Sequence, residues 1–304
     1  MKTLRLVLGD QLSRDLPSLA DLDPAKDLVL MAEVMSEVTY VKHHKRKIAY
    51  LFSAMRHFAN SLGDDGIAVR YRRLDDPDNA GSLAGEVAAA IAAFGPDRIV
   101  ITAPGEYRLA DEMAGWQARF GLAVDIRADT RFLCSLDDFA EWAEGRKSLR
   151  MEFFYRDLRR RYQVLMDGDE PIGGKWNYDA DNRQPPKAGL AVPPPSSFAP
   201  DAITTEVLPL VEMRCDDHFG KLARFDFAVT RDQALHVLDQ FIVERLSLFG
   251  TYQDAMIEGE PWMYHSHIGL YLNAGLLSPI EVIRVAEAAY HSGDAPLNAG
   301  EGFI

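Results

Sequence analysis

A chain of 304 residues has room for two domains, each with its own core. Hydrophobic content of 47% and charged content of 26% are ordinary for a soluble globular protein, and no apolar stretch approaches the length that spans a bilayer. A net charge of −13 argues against an extended nucleic-acid groove. The N-terminus enters a strand-like segment with no charged-then-apolar leader, so the expected location is the cytoplasm.

The first part alternates strand and helix. Leu4-Arg5-Leu6-Val7-Leu8 reads as a strand that ends at the turn Gly9-Asp10-Gln11, and Asp27 to Val34 as a buried second strand. Residues 43–60 have helical spacing, with Ile48, Leu51, Phe52 and Met55 on one face. Ile67–Tyr71 is a third strand. A helix over Leu83–Phe94 closes at Gly95-Pro96, and Arg98–Thr102 and Leu122–Ile126 are further strands with a helix over Leu109–Phe120 between them. Strands separated by helices of this length predict an α/β, doubly wound, parallel five-stranded sheet with right-handed crossovers. This domain is expected over residues 1–133.

From Ser135 the character changes. Asp137–Glu144 and Met151–Met166 read as helices, and Arg156, Arg159, Arg160 and Arg161 of the second as a solvated face. The loop Gly173 to Asp179 and the Pro-rich stretch Pro185–Pro200 predict irregular backbone, so 134–205 is expected to link two domains. Residues 206–304 are expected to be all-α. A helix over Thr230–Glu244 buries Ala234, Leu235, Leu238, Phe241 and Ile242, and another runs from Pro279 to about Tyr290 behind a Ser278 cap. The chain stops at Gly302-Phe303-Ile304 without a polar tail, which predicts that the helical domain is incomplete. On that expectation the apolar face around Phe241, Leu246, Leu248 and Leu276 is left exposed.

Candidate chemistry gathers first at the end of the first strand. Asp10 and Gln11 carry acceptors and donors suited to a heteroaromatic ring or a polyhydroxylated chain, and ligands of open α/β sheets bind at that edge. An Asx-type turn is the alternative. Glu33, at the end of the second strand, points to the same edge and favours a pocket. The run Tyr40-Val41-Lys42-His43-His44-Lys45-Arg46-Lys47 reads as a basic, solvated helix start. Adjacent histidines on a helix diverge by about 100° and cannot face one metal. Cys134 and Cys215 lack metal-ligand spacing and read as buried thiols. No metal site and no Ser–His–acid or Cys–His nucleophile is apparent.

The most informative run is Tyr264-His265-Ser266-His267-Ile268-Gly269-Leu270-Tyr271-Leu272-Asn273-Ala274-Gly275-Leu276-Leu277-Ser278-Pro279. It resembles the segment with which photolyases and cryptochromes hold the pyrophosphate of FAD. His265 and Gly269 stand where the family has Thr and Ser, so a hydroxyl donor is lost, although backbone N–H groups at a helix start bind phosphate without it. Leu6-Val7-Leu8-Gly9-Asp10-Gln11-Leu12, His43-His44-Lys45, Gly174-Lys175-Trp176-Asn177-Tyr178-Asp179 with Asn182-Arg183, and Phe249-Gly250 to Ala255-Met256 extend the likeness over nearly the whole chain. Together they resemble the iron–sulfur bacterial photolyase–cryptochrome group, the deoxyribodipyrimidine photolyase-related proteins.

That resemblance implies a light-driven DNA-repair lyase that passes an electron from photoexcited reduced FAD to a (6-4) photoproduct in UV-damaged DNA. It implies FAD in the helical domain, at Tyr252, Ser266, His267, Ile268, Gly269, Tyr271 and Asn273. It implies a 6,7-dimethyl-8-ribityllumazine antenna in the α/β domain, at Asp10, Gln11, Leu12, Glu33, Tyr40 and Ile48. Trp262 and Tyr264 read equally as core aromatics or as flavin neighbours. A [4Fe-4S] cluster, the electron-transfer tryptophans and the catalytic histidines are expected beyond Ile304, so the chain alone is expected to be inactive and monomeric. A blue-light sensor, or a nucleotide- or flavin-binding module without catalysis, is the alternative reading.

Overall fold

The computed structural model describes residues Met1–Ile304. In chain order the first elements are β1 (Thr3–Leu6), β2 (Asp27–Ala32), α1 (Met35–Thr39), α2 (Lys45–Asp64), β3 (Val69–Arg72) and α3 (Leu83–Phe94). Then come β4 (Arg98–Thr102), α4 (Tyr107–Ala114), α5 (Trp116–Phe120), β5 (Ala123–Arg127), α6 (Leu136–Ala143) and α7 (Met151–Tyr162). A two-residue hairpin, β6 (Met166–Asp167) and β7 (Glu170–Pro171), leads to α8 (Asp179–Asn182) and α9 (Ala202–Arg214). The last elements are α10 (Arg231–Glu244), α11 (Leu246–Tyr252), α12 (Gly269–Ala274), α13 (Pro279–Ser292) and α14 (Leu297–Phe303). The chain forms two compact units. One comprises Met1–Arg131, Ser197–Thr230 and Asn273–Leu276, and the other Phe132–Ser196, Arg231–Leu272 and Leu277–Ile304. No helix is long and apolar enough to cross a membrane.

The first unit is built on a five-stranded sheet of order β3-β2-β1-β4-β5 in which every pairing is parallel. This is the α/β architecture that the alternating strands and helices predict. All four side chains of β1 are buried, as both faces of a central parallel strand must be. Leu4 and Leu6 join Leu30, Ile99 and Ile101 in a core closed by Val87 of α3, Met113 of α4 and Trp116 of α5. Alternation sends Arg5 to the other face, where it is buried and paired with Asp27 at 2.8 Å and Asp21 at 2.7 Å. The helix expected over Leu109–Phe120 is broken at Gly115 into α4 and α5.

The basic run before α2 is not a solvated helix start. Lys45 is buried against Glu212 at 2.7 Å, its backbone N–H donates to the Phe219 carbonyl at 3.0 Å, and Arg46 Nε donates to the Lys221 carbonyl at 2.9 Å. Lys42 pairs with Asp217 at 3.0 Å. These cations fasten α9 and the segment after it onto α2, a partner that lies some 170 residues away and that local charge pattern could not reveal.

In the second unit Phe241 of α10 is fully buried under Phe303 of α14, with ring centroids 4.6 Å apart, and Phe249 of α11 lies 5.5 Å from Phe303. The apolar face expected to be exposed is therefore covered: Phe241, Leu246 and Leu276 are buried, and only Leu248 reaches solvent. For Phe241 the reason is α14, which the sequence reading missed and which brings Phe303 back onto α10 and α11; Leu276 belongs to the first unit. Among the exposed apolar side chains of this unit are Met256, Leu136 of α6, Val243 of α10 and Met151 of α7.

The arginines of α7 also differ from expectation. Arg159 is buried and donates to the Val164 and Leu165 carbonyls at 3.1 and 2.7 Å, closing the helix where Gln163 and Leu165 turn left-handed. Arg156, Arg159 and Arg160 surround the Trp176 ring at 5.4, 5.4 and 4.5 Å.

Gly250 of α11 sits where helices meet. A Cβ there would stand 2.8 Å from the Ala299 Cα, 2.8 Å from Asn182 Oδ1 and 2.9 Å from the Asn298 carbonyl oxygen. Asn182 and Asn298 complete the junction with reciprocal hydrogen bonds at 3.1 and 2.9 Å. Alanine is the better helix former by about 1 kcal/mol, yet Gly250→Ala should destabilise the protein by about 1–3 kcal/mol, because overpacking against backbone outweighs propensity. Urea unfolding of the two chains checks the sign.

Candidate functional site

The chain leaves β1 between β2 on one side and β4 on the other, so the carboxyl ends of β1 and β4 border the switch point of the sheet. The turn Gly9-Asp10-Gln11-Leu12 lies there. Gln11 is fully buried: its Oε1 accepts from Leu8 N at 3.4 Å, and its Nε2 donates to the Thr102 and Ala103 carbonyls at 3.2 and 3.3 Å. It pins the turn to the end of β4. Leu12 is buried and its N–H donates to the Ala274 carbonyl at 2.8 Å. Gly275 beside it has φ +84°, and a Cβ there would stand 2.5 Å from Arg131 Nη1 and 3.0 Å from Leu12 N. Only glycine fits that approach.

Asp10 remains half-buried, with Arg131 donating to its backbone carbonyl at 3.0 Å. Burial raises its carboxyl pKa; its own backbone and Arg131 oppose the shift, while Asp129 and Glu106 add to it. Around it lie Glu37 of α1, Tyr40 and His43 from the segment between α1 and α2, Glu106 from the loop after β4 and Arg108 of α4. The Arg108 guanidinium lies 4.4 Å over the Tyr40 ring and is held by Glu37 at 2.5 Å and Glu106 at 2.8 Å, hydrogen bonds that raise its pKa. Tyr40 is 45% exposed, and its ring meets His43 edge-on at 5.1 Å. Burial pushes the Tyr40 hydroxyl pKa up and the His43 imidazole pKa down, so both are neutral at pH 7. The set offers an aromatic face, carboxylate acceptors and cationic donors along one edge. Such a surface suits a planar heterocycle with a hydroxylated arm better than it suits nucleophilic chemistry. Ile48 is buried within α2. Glu37, Glu106 and Arg108 were not singled out from sequence, although Glu106-Tyr107-Arg108 follows β4 at the same edge that drew attention to Asp10; His43 was read only as part of a basic helix start.

Glu33 is at this edge in sequence, but its carboxylate is spent inside the protein. Arg56 Nε and Nη2 donate to its two oxygens at 2.7 and 3.0 Å, Tyr71 Oη at 2.7 Å and Leu74 N at 2.9 Å. Four donors fill the four acceptor positions of a carboxylate. Glu33 is fully buried, so it shapes the wall without presenting a free oxygen.

In the second unit, Tyr252 is buried with its ring 5.8 Å from Tyr264, whose hydroxyl donates to the Ala191 carbonyl at 2.5 Å. Ser266 and His267 are half-buried, Ile268 and Tyr271 buried and Gly269 exposed. His267 is left-handed at φ +56°, and its Nε2 lies 3.1 Å from the Trp262 carbonyl oxygen. Tyr271 N and Leu272 N both donate to the Ile268 carbonyl, at 2.9 and 3.1 Å. The N–H groups of Ser266, His267, Ile268 and Gly269 have no backbone acceptor. Arg245 is buried with an unpartnered Nε, and burial together with this cation pushes the His267 pKa down. Unpaired N–H groups near a buried cation fit an anionic phosphate. Asn273 is exposed and belongs to the first unit.

No group of three His, Cys, Asp or Glu side chains is placed to hold a metal ion. An iron–sulfur cubane takes four cysteine ligands. The chain has two, Cys134 and Cys215, in different compact units, so these residues do not form one.

Replacing Glu33 with Leu strands a buried arginine, and should cost about 3–5 kcal/mol of stability; a thermal melt near that of the parent would refute the saturated-carboxylate account. Asp10 behaves oppositely. Its folded pKa lies above the unfolded value of 3.8, so stability it contributes in acid is lost as pH rises through that window. Asp10→Asn should therefore flatten the fall of the urea midpoint as pH rises above 3.8 and raise stability at neutral pH.

The family model described as deoxyribodipyrimidine photo-lyase-related protein matches residues 5–227. A (6-4) photolyase of Agrobacterium fabrum is 52% identical over all 304 residues, and the chain spans 60% of that relative's length. An uncharacterized protein, R852, of Acanthamoeba polyphaga mimivirus is 27% identical over 149 residues, covering 48% of this chain and 74% of the viral protein. Among solved structures, a bacterial class III photolyase from Agrobacterium tumefaciens superposes with a TM-score of 0.58 at 15% identity, over 99% of this chain and 56% of its own, which supports the fold alone. With the family model matched over most of its length, this chain belongs to the deoxyribodipyrimidine photo-lyase-related proteins.

Proposed function

We propose that this chain forms the antenna-binding domain and part of the flavin-binding domain of a light-driven lyase that repairs (6-4) photoproducts in UV-damaged DNA. The observation that carries the reading is the half-buried cluster of Asp10, Glu37, Tyr40, His43, Glu106 and Arg108 at the switch point of the sheet, within a family of photolyase-related proteins. There 6,7-dimethyl-8-ribityllumazine would lie against the Tyr40 ring with its ribityl hydroxyls toward Asp10 and the neighbouring carboxylates. Gln11, Leu12, Glu33 and Ile48 hold the walls. FAD would place its phosphates on Ser266, His267, Ile268 and Gly269, with Tyr252 and Tyr271 contributing to its site. When bound, lumazine supplies light capture and reduced FAD supplies the electron that opens the lesion. What the chain's own residues do is bind, orient and keep water away. We assign the protein to the cytoplasm and treat the chain as a monomer.

With the chain at 60% of the length of its relative, the two chromophores are expected to behave differently. Lumazine should bind the 304-residue chain one to one, because its pocket belongs to a unit with its own core. FAD should bind weakly and light-driven repair of a lesion-bearing oligonucleotide should be undetectable, since a partial pocket buries little of so large a ligand. Tyr40→Ala should weaken lumazine binding about tenfold through the lost ring contact, without changing the melting temperature of the apo chain. Fluorescence titration of both chromophores and an oligonucleotide repair assay test this. Failure to bind lumazine at any concentration up to solubility sinks the antenna assignment, and stoichiometric FAD with repair sinks the account of an incomplete flavin site. Chromophore binding by the chain extended to the length of its relative, without repair, would favour light sensing.

A further inference from the structure

A second cavity lies away from both chromophore regions, wholly within the second unit, between α6 and α7. Its volume is about 560 Å³, within the range of small-molecule sites. Its aromatic wall is Trp142 and Phe154, with Phe139 packed behind them. Trp142 stacks on Phe139 with centroids 5.8 Å apart and an interplanar angle of 26°, and Phe154 meets both rings at 4.9 and 5.3 Å. The indole N–H donates to Asp157 at 3.0 Å, which holds the ring in place.

The rim is acidic. Asp138, Glu141, Glu144 and Asp157 line the cavity against two arginines, Arg146 and Arg161. Asp138 is paired with Arg161 at 3.0 Å, and hydrogen bonds from Ser135 and Arg161 hold its pKa down at about 2. No ion pair engages Glu141 or Glu144. The informative residue is Arg146. Its guanidinium lies 4.3 Å over the Trp142 ring and 3.9 Å from Asp157, and its Nε donates to the Trp142 carbonyl at 2.6 Å. It comes from an exposed loop and is itself 42% exposed. An aromatic face backed by carboxylates is how proteins recognise desolvated cations, and guanidinium adds planar stacking and several directed N–H donors. Arg146 thus shows, within the molecule, the chemistry that the cleft accepts.

We propose that the cleft between α6 and α7 is a binding site for an alkylguanidinium ligand, and that Arg146 occupies the site until such a ligand displaces it. The ligand's planar head takes the place of the Arg146 guanidinium on Trp142. Its chain runs along Phe154 and Leu158, and any second cationic group meets Glu141 and Glu144. A neutral urea of the same shape gains the stacking but not the charge pairing, so the site discriminates by charge.

The wall also contains its own reporter. Cys134 lines the cavity and is half-buried, whereas the only other cysteine, Cys215, is fully buried. The rate at which Cys134 is alkylated therefore reads occupancy directly, with no dependence on any chromophore. Agmatine, an alkylguanidinium with a distal amine, should slow alkylation saturably in the native chain. In Arg146→Ala the apparent affinity should rise about tenfold, since a tethered competitor is present at an effective concentration in the millimolar range. The double variant Glu141→Gln/Glu144→Gln should weaken it severalfold while leaving the circular dichroism unchanged. Butylurea at equal concentration should not protect. The proposal is overturned if agmatine leaves the Cys134 rate unchanged in both chains, if butylurea protects equally, or if Arg146→Ala binds no tighter than the native chain.

Discussion

The carboxylate of Glu33 is the fixed point of the α/β unit. It receives Arg56 from α2, Tyr71 from β3 and the backbone N–H of Leu74 from the loop beyond β3. Its own backbone adds two further ties, with its N–H donating to the Arg72 carbonyl and its carbonyl accepting from Asn79. One residue at the end of β2 thereby sets the positions of a helix, a strand and a loop. A buried charge of this kind is tolerable because each lone pair is filled; with one donor missing it would be a defect. Burial and the neighbouring carboxylate together keep the Tyr71 hydroxyl protonated, so it stays a donor across the physiological range.

On the adjoining stretch of the same edge Gln11 has a matching role without charge. Its amide joins the turn after β1 to the end of β4 across the place where the strand order reverses. The crevice between these two anchors can then afford incomplete satisfaction. Asp10 is half-buried with an elevated pKa, Tyr40 exposes nearly half of its surface, and Arg108 is shared between two carboxylates. Rigid, saturated groups sit behind and unsaturated ones in front. That is the arrangement expected of a binding site, in which stability is given up where a ligand will restore it.

The second unit achieves order by returning late chain onto early chain. Phe303 covers Phe241 and Phe249, Glu301 accepts from the Tyr155 hydroxyl of α7, and Asn298 pairs with Asn182. Phe241 is thereby taken out of solvent, while Leu136 of α6, Met151 of α7, Val243 of α10 and Met256 stay exposed. Arg245 and Tyr264 hold the Pro-rich stretch through the carbonyls of Pro193 and Ala191, which gives that irregular segment a defined path.

Sequence by itself determined the local elements and their order. Alternation of β-branched and apolar runs with amphipathic helices placed the five strands to within about two residues, and the Ser278–Pro279 cap placed the start of α13, because these signals are written in adjacent residues. It also picked out the switch-point turn through Asp10 and Gln11. Tertiary structure decided what each polar group is for. Glu33 and Gln11 looked like ligand groups and are internal fasteners; Lys45 and Arg159 looked solvated and are buried; Glu37, Glu106 and Arg108 drew no attention and, with His43, frame the crevice. The physical reason is the same in each case. Whether a carboxylate, amide or guanidinium faces water depends on which donors and acceptors reach it from distant chain, and one-dimensional spacing contains no record of those partners.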